Sequence, residues 1–155
     1  MKTVSPTHST LPPAPEGYGH VLVAEDDPAL QVVSRLLLKK LGCTVTIVSS
    51  GVEAVSLFAS AKDENRPSPF DLVLMDMVMP GLDGLTTSRH IRNLYPDQRI
   101  TIVSGYPPDA HTAEINQLGL FWLVKPYSFT DLSESIRAAV TKSVRAVAPP
   151  CASGS

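Results

Sequence analysis

The fold of this chain is decided by one stretch, Leu72-Val73-Leu74-Met75-Asp76-Met77-Val78-Met79-Pro80-Gly81-Leu82-Asp83-Gly84. The stretch begins with a short apolar run, reaches a carboxylate at Asp76 and continues into a segment rich in Pro and Gly. A short, nearly continuous apolar run is typical of a strand that is buried on both faces, and Pro and Gly mark the loop that follows. The stretch therefore predicts a buried strand that leads directly into an acidic side chain.

Four other segments have the same strand-like character, and segments with helical periodicity separate them. The five predicted strands are His20–Glu25, Thr44–Val48, Asp71–Met75, Arg99–Val103 and Leu120–Val124. The five predicted helices begin after Asp27, at Ser50, at Leu85, at Asp109 and at Ser128. Parallel neighbours need right-handed crossovers, usually through a helix. The alternation therefore predicts a single α/β domain, a doubly wound five-stranded parallel sheet with helices on both faces.

Local signals support the first two helices. Asp27 is placed to cap the first helix, with Pro28 at its first position. The spacing of apolar residues predicts an inward face made of Leu30, Val33, Leu37 and Leu41. The sequence from Ser50 to Glu53 is a capping-box pattern that opens the second helix.

Composition excludes several classes of protein. The 155 residues are 43% hydrophobic and 18% charged, which is typical of a folded globular chain. The formal net charge of −2 offers no basic excess for nucleic acid, and no apolar run approaches the length of a membrane span. The two cysteines, Cys43 and Cys151, form neither a disulfide framework nor a metal motif, which favours a reducing, cytoplasmic compartment.

Prolines mark both ends of the chain. Residues 1–19 contain four prolines and no apolar signal-peptide core, so they predict a disordered or extended leader. Pro149-Pro150 introduce a second such segment, the predicted tail 148–155. The folded body is therefore predicted to cover residues 20–147.

Polar side chains follow the predicted strands. They are Glu25, Asp26, Asp76, Ser104, Gly105 and Lys125. The carboxyl ends of parallel strands face one crevice, so these groups are expected to meet there. Clustered carboxylates repel one another and need a cation, and a set of oxygen ligands without His or Cys suits Mg²⁺.

Such a crevice suits phosphoryl transfer. A carboxylate held beside a divalent ion, an amine and a hydroxyl can accept a phosphoryl group, so Asp76 is the candidate acceptor. Lys125 and Mg²⁺ would neutralise the phosphoryl oxygens, while the Ser104 hydroxyl and the Gly105 amide would donate hydrogen bonds to them.

In this combination the chain resembles the receiver domain of bacterial two-component response regulators, the fold of the chemotaxis regulator and of flavodoxin. The resemblance covers essentially the whole body and lies in Val21–Pro28, Leu72–Gly84, Ser104-Gly105 and Val124-Lys125-Pro126. It implies the strand order 2-1-3-4-5. It also implies that the Lys125–Pro126 peptide bond is cis.

The resemblance assigns roles to the acidic residues. Asp76 is implied to be the phosphorylated aspartate, Asp26 to bind Mg²⁺ directly and Glu25 to bind it through water. The backbone carbonyl of Val78 is implied to be a further ligand of the metal. Lys125 matches the family's lysine that pairs with the phosphoryl group.

Two further residues match the switch positions of the family. Ser104 matches the hydroxyl residue that turns toward the phosphoryl group. Trp122, three residues before Lys125, stands where the family places an aromatic switch that is commonly Tyr or Phe. Val78 and Tyr106 occupy positions that in the family tune hydrolysis of the acyl phosphate, and by this resemblance an apolar Val78 predicts a comparatively long-lived phosphoform.

The implied function is a phosphoacceptor in a phosphorelay, which does not act as a conventional turnover enzyme. A histidine kinase or histidine phosphotransfer protein is the expected donor. The expected output partner is a protein bound at the face of the fourth helix, fifth strand and fifth helix; neither nucleic acid nor membrane is expected to bind directly. Fewer than ten residues follow Val147, which favours a stand-alone regulator or the excised receiver of a hybrid histidine kinase.

Two rival functions make different predictions. A Mg²⁺-dependent phosphatase of the haloacid dehalogenase type would carry a second Asp two residues after the nucleophile, where this chain has Val78. An interaction module that works without phosphorylation would have a broken acidic site, whereas Glu25, Asp26 and Asp76 are all present.

Overall fold

The strands and helices alternate along the chain in the computed structural model, which describes residues 19–141. The strands are β1 (His20–Ala24), β2 (Thr44–Val48), β3 (Leu72–Asp76), β4 (Ile100–Ser104) and β5 (Phe121–Val124). The helices are α1 (Pro28–Lys40), α2 (Gly51–Asp63), α3 (Gly84–Leu94), α4 (Thr112–Leu118) and α5 (Phe129–Thr141). A short 3₁₀ turn, Asp109–His111, precedes α4.

The five strands form one parallel sheet in the order β2-β1-β3-β4-β5, which confirms the predicted fold and strand order. The register pairs Ala24 with Met75, Asp76 with Val103, and Ser104 with Val124. The carboxyl ends of four adjacent strands are therefore aligned, and the residues that follow them face the same edge.

A hydrophobic core covers each face of the sheet. On one side, residues of α2, α3 and α4, among them Phe58, Ile91 and Ile115, pack against the sheet. On the other side α1 and α5 contribute Leu38 and Leu132. Every residue of β3 and β4 is buried, which explains why these strands are almost uninterrupted apolar runs in the sequence.

Side-chain caps fix where the first two helices begin. The Asp27 carboxylate accepts hydrogen bonds from the backbone N–H groups of Ala29 (2.9 Å) and Leu30 (3.5 Å), as predicted for an N-cap. Ser50 caps α2 by accepting from the Glu53 N–H at 3.2 Å. The Glu53 carboxylate reaches back to the N–H of Ser49 at 2.7 Å, one residue earlier than in the usual capping box.

Strand boundaries differ from the prediction by one residue in several places. β3 and β4 each begin and end one residue later than predicted, so Asp76 and Ser104 are the last residues of their strands. β1 ends at Ala24, although the Glu25 N–H still donates to the Val48 carbonyl at 3.0 Å. Apolar composition marks the buried part of a strand, whereas hydrogen-bond register decides its ends.

The predicted inward face of α1 is correct at Leu41, which is buried, and at Leu37, which packs against the core, but it is wrong at Val33. Val33 is 46% exposed, and the buried residues of this helix are Ser34 and Leu38. The inner face therefore carries polar residues at the end of the helix that lies nearest the carboxyl ends of the strands. The pattern based on apolar residues alone included Val33 and omitted Ser34 and Leu38.

The ends of the chain lie largely outside the described residues. Of the predicted leader 1–19, only Gly19 is among the described residues. Residues 142–147 of the predicted body and the predicted tail 148–155 lie outside them. The domain boundaries stay predictions. Between residues 19 and 141, no helix combines the length and the apolar character that crossing a bilayer requires.

Gly84 allows the loop after β3 to fold back onto that strand. A Cβ atom at position 84 would lie 2.5 Å from the backbone oxygen of Asp76 and 2.8 Å from the Cα of Met77. The Gly84 N–H donates to the Met77 carbonyl at 2.8 Å, which closes the loop. The close approach involves backbone atoms, so no side-chain rotation can relieve it.

We expect Gly84→Ala to lower the free energy of unfolding by about 1–3 kcal/mol, because the added methyl forces the backbone around Asp76 to move. Urea unfolding followed by circular dichroism measures this change. Gly105→Ala is the matched control, since a Cβ at that position meets no atom within 4 Å. Equal losses in the two variants would contradict the close-contact explanation.

Candidate functional site

Three carboxylates meet at the carboxyl edge of the sheet. One oxygen from each of Glu25, Asp26 and Asp76 lies within 4.8 Å of the others. Glu25 and Asp76 are only 5% and 7% exposed, whereas Asp26 is exposed to solvent. They come together because β1 and β3 are adjacent and parallel, so the residues that end or follow these strands are neighbours.

Lys125 bridges two of these carboxylates. Its Nζ donates to Glu25 Oε2 at 3.2 Å and to Asp76 Oδ1 at 3.3 Å. Burial alone would lower the pKa of this ammonium, but the charges of Asp76 and Glu25 outweigh it and hold the pKa above its usual value. Lys125 is therefore charged at neutral pH and supplies a positive charge to the site.

The environment of Glu25 disfavours the charged form of its carboxyl group. Burial raises its pKa above the ordinary value, and the nearby charge of Asp76 acts in the same direction. The Asp27 N–H, which donates to Glu25 Oε1 at 3.1 Å, and the ammonium of Lys125 oppose this rise without cancelling it.

The donor set suits a hard divalent cation. Three carboxylates face one ammonium, so the group carries an excess of negative charge when all of its members are ionised. Its ligand atoms are all oxygen, which fits Mg²⁺ or Ca²⁺ better than a transition metal. The structure thus brings together the three acidic residues that the sequence predicts at this edge, and their role as metal ligands stays a prediction.

Ser104 and Gly105 lie at the same edge of the sheet, at the carboxyl end of β4. Ser104 is buried at the end of β4, and its Oγ accepts a hydrogen bond from the Tyr106 N–H at 3.1 Å. The Lys125 N–H donates to the Ser104 carbonyl at 2.7 Å, which ties the loop after β5 to β4. Gly105 is exposed, and the space beside its Cα is open.

Trp122 is connected to this edge through Tyr106. The indole N–H of Trp122 donates to the Tyr106 carbonyl at 3.0 Å, and its half-buried ring packs against the core on the α2, α3 and α4 side. Tyr106 and Val78 expose 74% and 72% of their surface beside the site. The Lys125–Pro126 bond is cis, as the resemblance implies.

The sequence did not identify Gln31, Ser34 and Tyr127. Gln31 contacts the backbone of Glu25, and Tyr127 contacts Ser34 from the loop after β5. Gln31 and Ser34 lie three residues apart on α1 and therefore on one face of the helix. Two polar residues on a face that packs against the sheet need hydrogen-bond partners, and this spacing was the available signal. That signal was missed because the inward face was assigned from apolar residues.

We expect Glu25→Gln to raise the free energy of unfolding at pH 7 in buffer without divalent cations by on the order of 1 kcal/mol. Because the folded-state pKa of Glu25 lies above its ordinary value of 4.5, folding favours the protonated form, and stability is lost as pH rises through the folded pKa. The advantage of the variant should therefore disappear near pH 4.

Urea unfolding at both pH values measures this difference, with Glu134→Gln, an exposed glutamate of α5, as the control. A variant that is less stable than the wild type at pH 7 would show that the environment of Glu25 does not disfavour the charged form.

Comparisons with known proteins agree with the geometry. Residues 21–137 match the response regulator receiver domain profile. The chain is 33% identical over 127 residues to sensor kinase CckA of Brucella abortus, covering 81% of this chain and 13% of that protein. It is 38% identical over 114 residues to transcription factor SKN7 of Candida albicans, covering 73% of this chain and 19% of that protein.

A solved structure shows the same fold. The receiver domain of sensor histidine kinase PA1611 from Pseudomonas aeruginosa, with a magnesium ion coordinated in its active-site cleft, is similar with a TM-score of 0.66 and 28% identity. The similarity covers 79% of this chain and 98% of that one. The chain spans less than a fifth of the length of either curated relative. The profile match and the shared fold establish that this chain belongs to the response regulator receiver domain family.

Proposed function

We propose that this receiver domain accepts a phosphoryl group on Asp76 from a phosphohistidine of a histidine kinase or phosphotransfer protein. One observation carries the assignment to this residue. The Asp76 carboxylate ends a fully buried strand, lies 3.3 Å from the Lys125 amine and belongs to a cluster with two further carboxylates. Glu25 shares this cluster and also contacts Lys125, at 3.2 Å, but Glu25 lies beyond the end of β1, whereas Asp76 is the last residue of β3.

The transfer balances as a displacement at phosphorus. A carboxylate oxygen of Asp76 attacks in line, the new P–O bond forms, and the P–N bond to the donor imidazole breaks. The imidazole leaves with the electron pair and takes up a proton from solvent. Lys125 then pairs with a phosphoryl oxygen, and the Ser104 hydroxyl and the Gly105 amide donate to the others.

Asp26 and Asp76 would hold Mg²⁺ directly, with Glu25 acting through water and Val78 through its backbone carbonyl. The ion, when bound, supplies positive charge to the phosphoryl oxygens. The oxygen-only donor set and the magnesium ion in the similar receiver of PA1611 support this assignment.

The output of the domain is a change in the partner affinity of the face formed by α4, β5 and α5. Ser104 accepts from the N–H of Tyr106, whose carbonyl in turn accepts from Trp122. When Ser104 turns to the phosphoryl group, this chain of bonds must rearrange, and Trp122 follows. The result is a population shift driven by contacts that only the phosphorylated form makes.

The domain assists its own phosphorylation and hydrolysis but is not a turnover enzyme, and we place it in the cytoplasm. Similarity to a sensor kinase and to a transcription factor is compatible with a hybrid-kinase receiver and with a regulator. The phosphatase alternative lacks its second acid, because Val78 stands at that position.

We expect incubation with acetyl phosphate and Mg²⁺ to add one phosphoryl group to the protein, because the open space beside Gly105 admits a small donor. Intact mass spectrometry detects the addition. Asp76→Asn should remain unmodified, and Asp83→Asn, which alters the exposed cap of α3, should be modified like the wild type. A phosphoryl mass on the Asp76→Asn variant would refute the assignment.

The exposed, apolar side chain of Val78 cannot orient an attacking water, so we expect slow loss of the phosphoryl group. Val78→Asn should shorten the lifetime by about 10-fold, which is less than a positioned general base contributes, because an amide orients the water without taking up its proton. Time-resolved intact mass after removal of the donor measures both decays. Fast Mg²⁺-dependent decay of the wild type would contradict the expectation.

A further inference from the structure

Gln31 ties α1 to the acidic loop after β1. Its Nε2 donates to the backbone carbonyl of Glu25 at 2.6 Å and to Ser49 Oγ at 3.1 Å, at the end of β2. The N–H of the same Glu25 donates to the Val48 carbonyl. The backbone of Glu25 is thus held from both sides, by β2 at its nitrogen and by α1 at its carbonyl.

The Glu25 carbonyl belongs to the peptide unit that continues into Asp26. Because that unit is planar, a hydrogen bond to its oxygen restricts the orientation of both residues that carry carboxylates. The carboxylates repel one another, and an unrestrained loop would relieve the repulsion by moving apart. The contact with Gln31 resists this movement without touching a carboxylate.

A second polar contact leaves α1 one turn later. The Ser34 hydroxyl, which is buried, lies 3.1 Å from the hydroxyl of Tyr127. Tyr127 follows Lys125 by two residues, in the loop between β5 and α5. This contact joins α1 to the segment that carries the lysine of the site.

We propose that Gln31 is a positioning residue for the acidic pair Glu25 and Asp26, and that the Ser34–Tyr127 contact positions Lys125. The inference rests on the proposed function. The inner face of α1 thus sets the distance between the loop that carries Glu25 and Asp26 and the loop that carries Lys125. The polar residues on this face are the reason that the apolar pattern of the helix is interrupted there.

The two contacts predict different defects. Gln31→Met keeps the length of the side chain but removes the donor, and we expect Mg²⁺ affinity to fall about 10-fold, as for a lost partner of a metal ligand. At saturating Mg²⁺ its phosphorylation by acetyl phosphate should approach the wild-type rate. Tyr127→Phe should bind Mg²⁺ like the wild type and be phosphorylated about 10-fold more slowly at saturation.

Mg²⁺ affinity of the unphosphorylated protein is measured by Trp122 fluorescence and independently by calorimetry, and phosphorylation by intact mass. Val32→Ala, which changes an exposed residue of α1 next to Gln31, is the control and should alter neither quantity. Gln31→Asn, whose amide is too short to reach the Glu25 carbonyl, provides a second variant with the affinity loss of Gln31→Met, should the latter fail to fold.

Unchanged Mg²⁺ affinity in folded Gln31 variants would overturn the proposal and leave Gln31 a purely structural role. Equal losses of affinity and rate in Gln31→Met and Tyr127→Phe would also overturn it, because the two contacts would then not act separately on the acidic pair and on Lys125. Failure of the proposed function is a distinct result, since the wild-type protein would then neither bind Mg²⁺ nor take up a phosphoryl group.

Discussion

Mutual repulsion among three carboxylates is the constraint on which the rest of this structure depends. Glu25 and Asp76 are almost fully buried, and the ammonium of Lys125 offsets only part of the negative charge of the cluster that they form with Asp26. Isolated, such a group would lower its free energy by moving apart or by taking up protons. The sheet prevents the first, because β1, β3 and β5 deliver these side chains from a common hydrogen-bonded framework.

The structure around the cluster is closely packed. β3 and β4 are buried along their whole length, and the loop after β3 returns so closely that only glycine fits beside the Asp76 carbonyl. The Asp27 cap begins α1 directly after the acidic pair. Stability supplied by the core and the caps therefore offsets the unfavourable burial of charge, a common division between a functional site and its scaffold.

The sequence was sufficient for the fold and for the acidic site because both depend on local signals. Buried parallel strands are apolar runs, and the residue that ends each run must lie at the common edge, so Asp76 and Lys125 could be placed without coordinates. The ends of β3 and β4 were displaced by one residue, since hydrogen-bond register is not written in the apolar pattern. The contact between Ser34 and Tyr127 joins residues 93 positions apart, so no local pattern in the sequence pairs the two. Gln31 was hidden because a polar residue on a helix is ordinarily read as exposed.

Lys125 follows the shortest of the described strands, which lies at an edge of the sheet. β5 has four residues and pairs on one side only, with β4, in the sheet formed by the described strands. Edge elements of this kind open locally at a lower free energy than a central strand, without global melting. Each such fluctuation would withdraw the ammonium and leave the carboxylates uncompensated, while β1 and β3 stay intact. Hydrogen exchange at the amides of β5 would then report how often the Lys125 ammonium leaves the carboxylates. The global stability of the domain does not reveal this frequency.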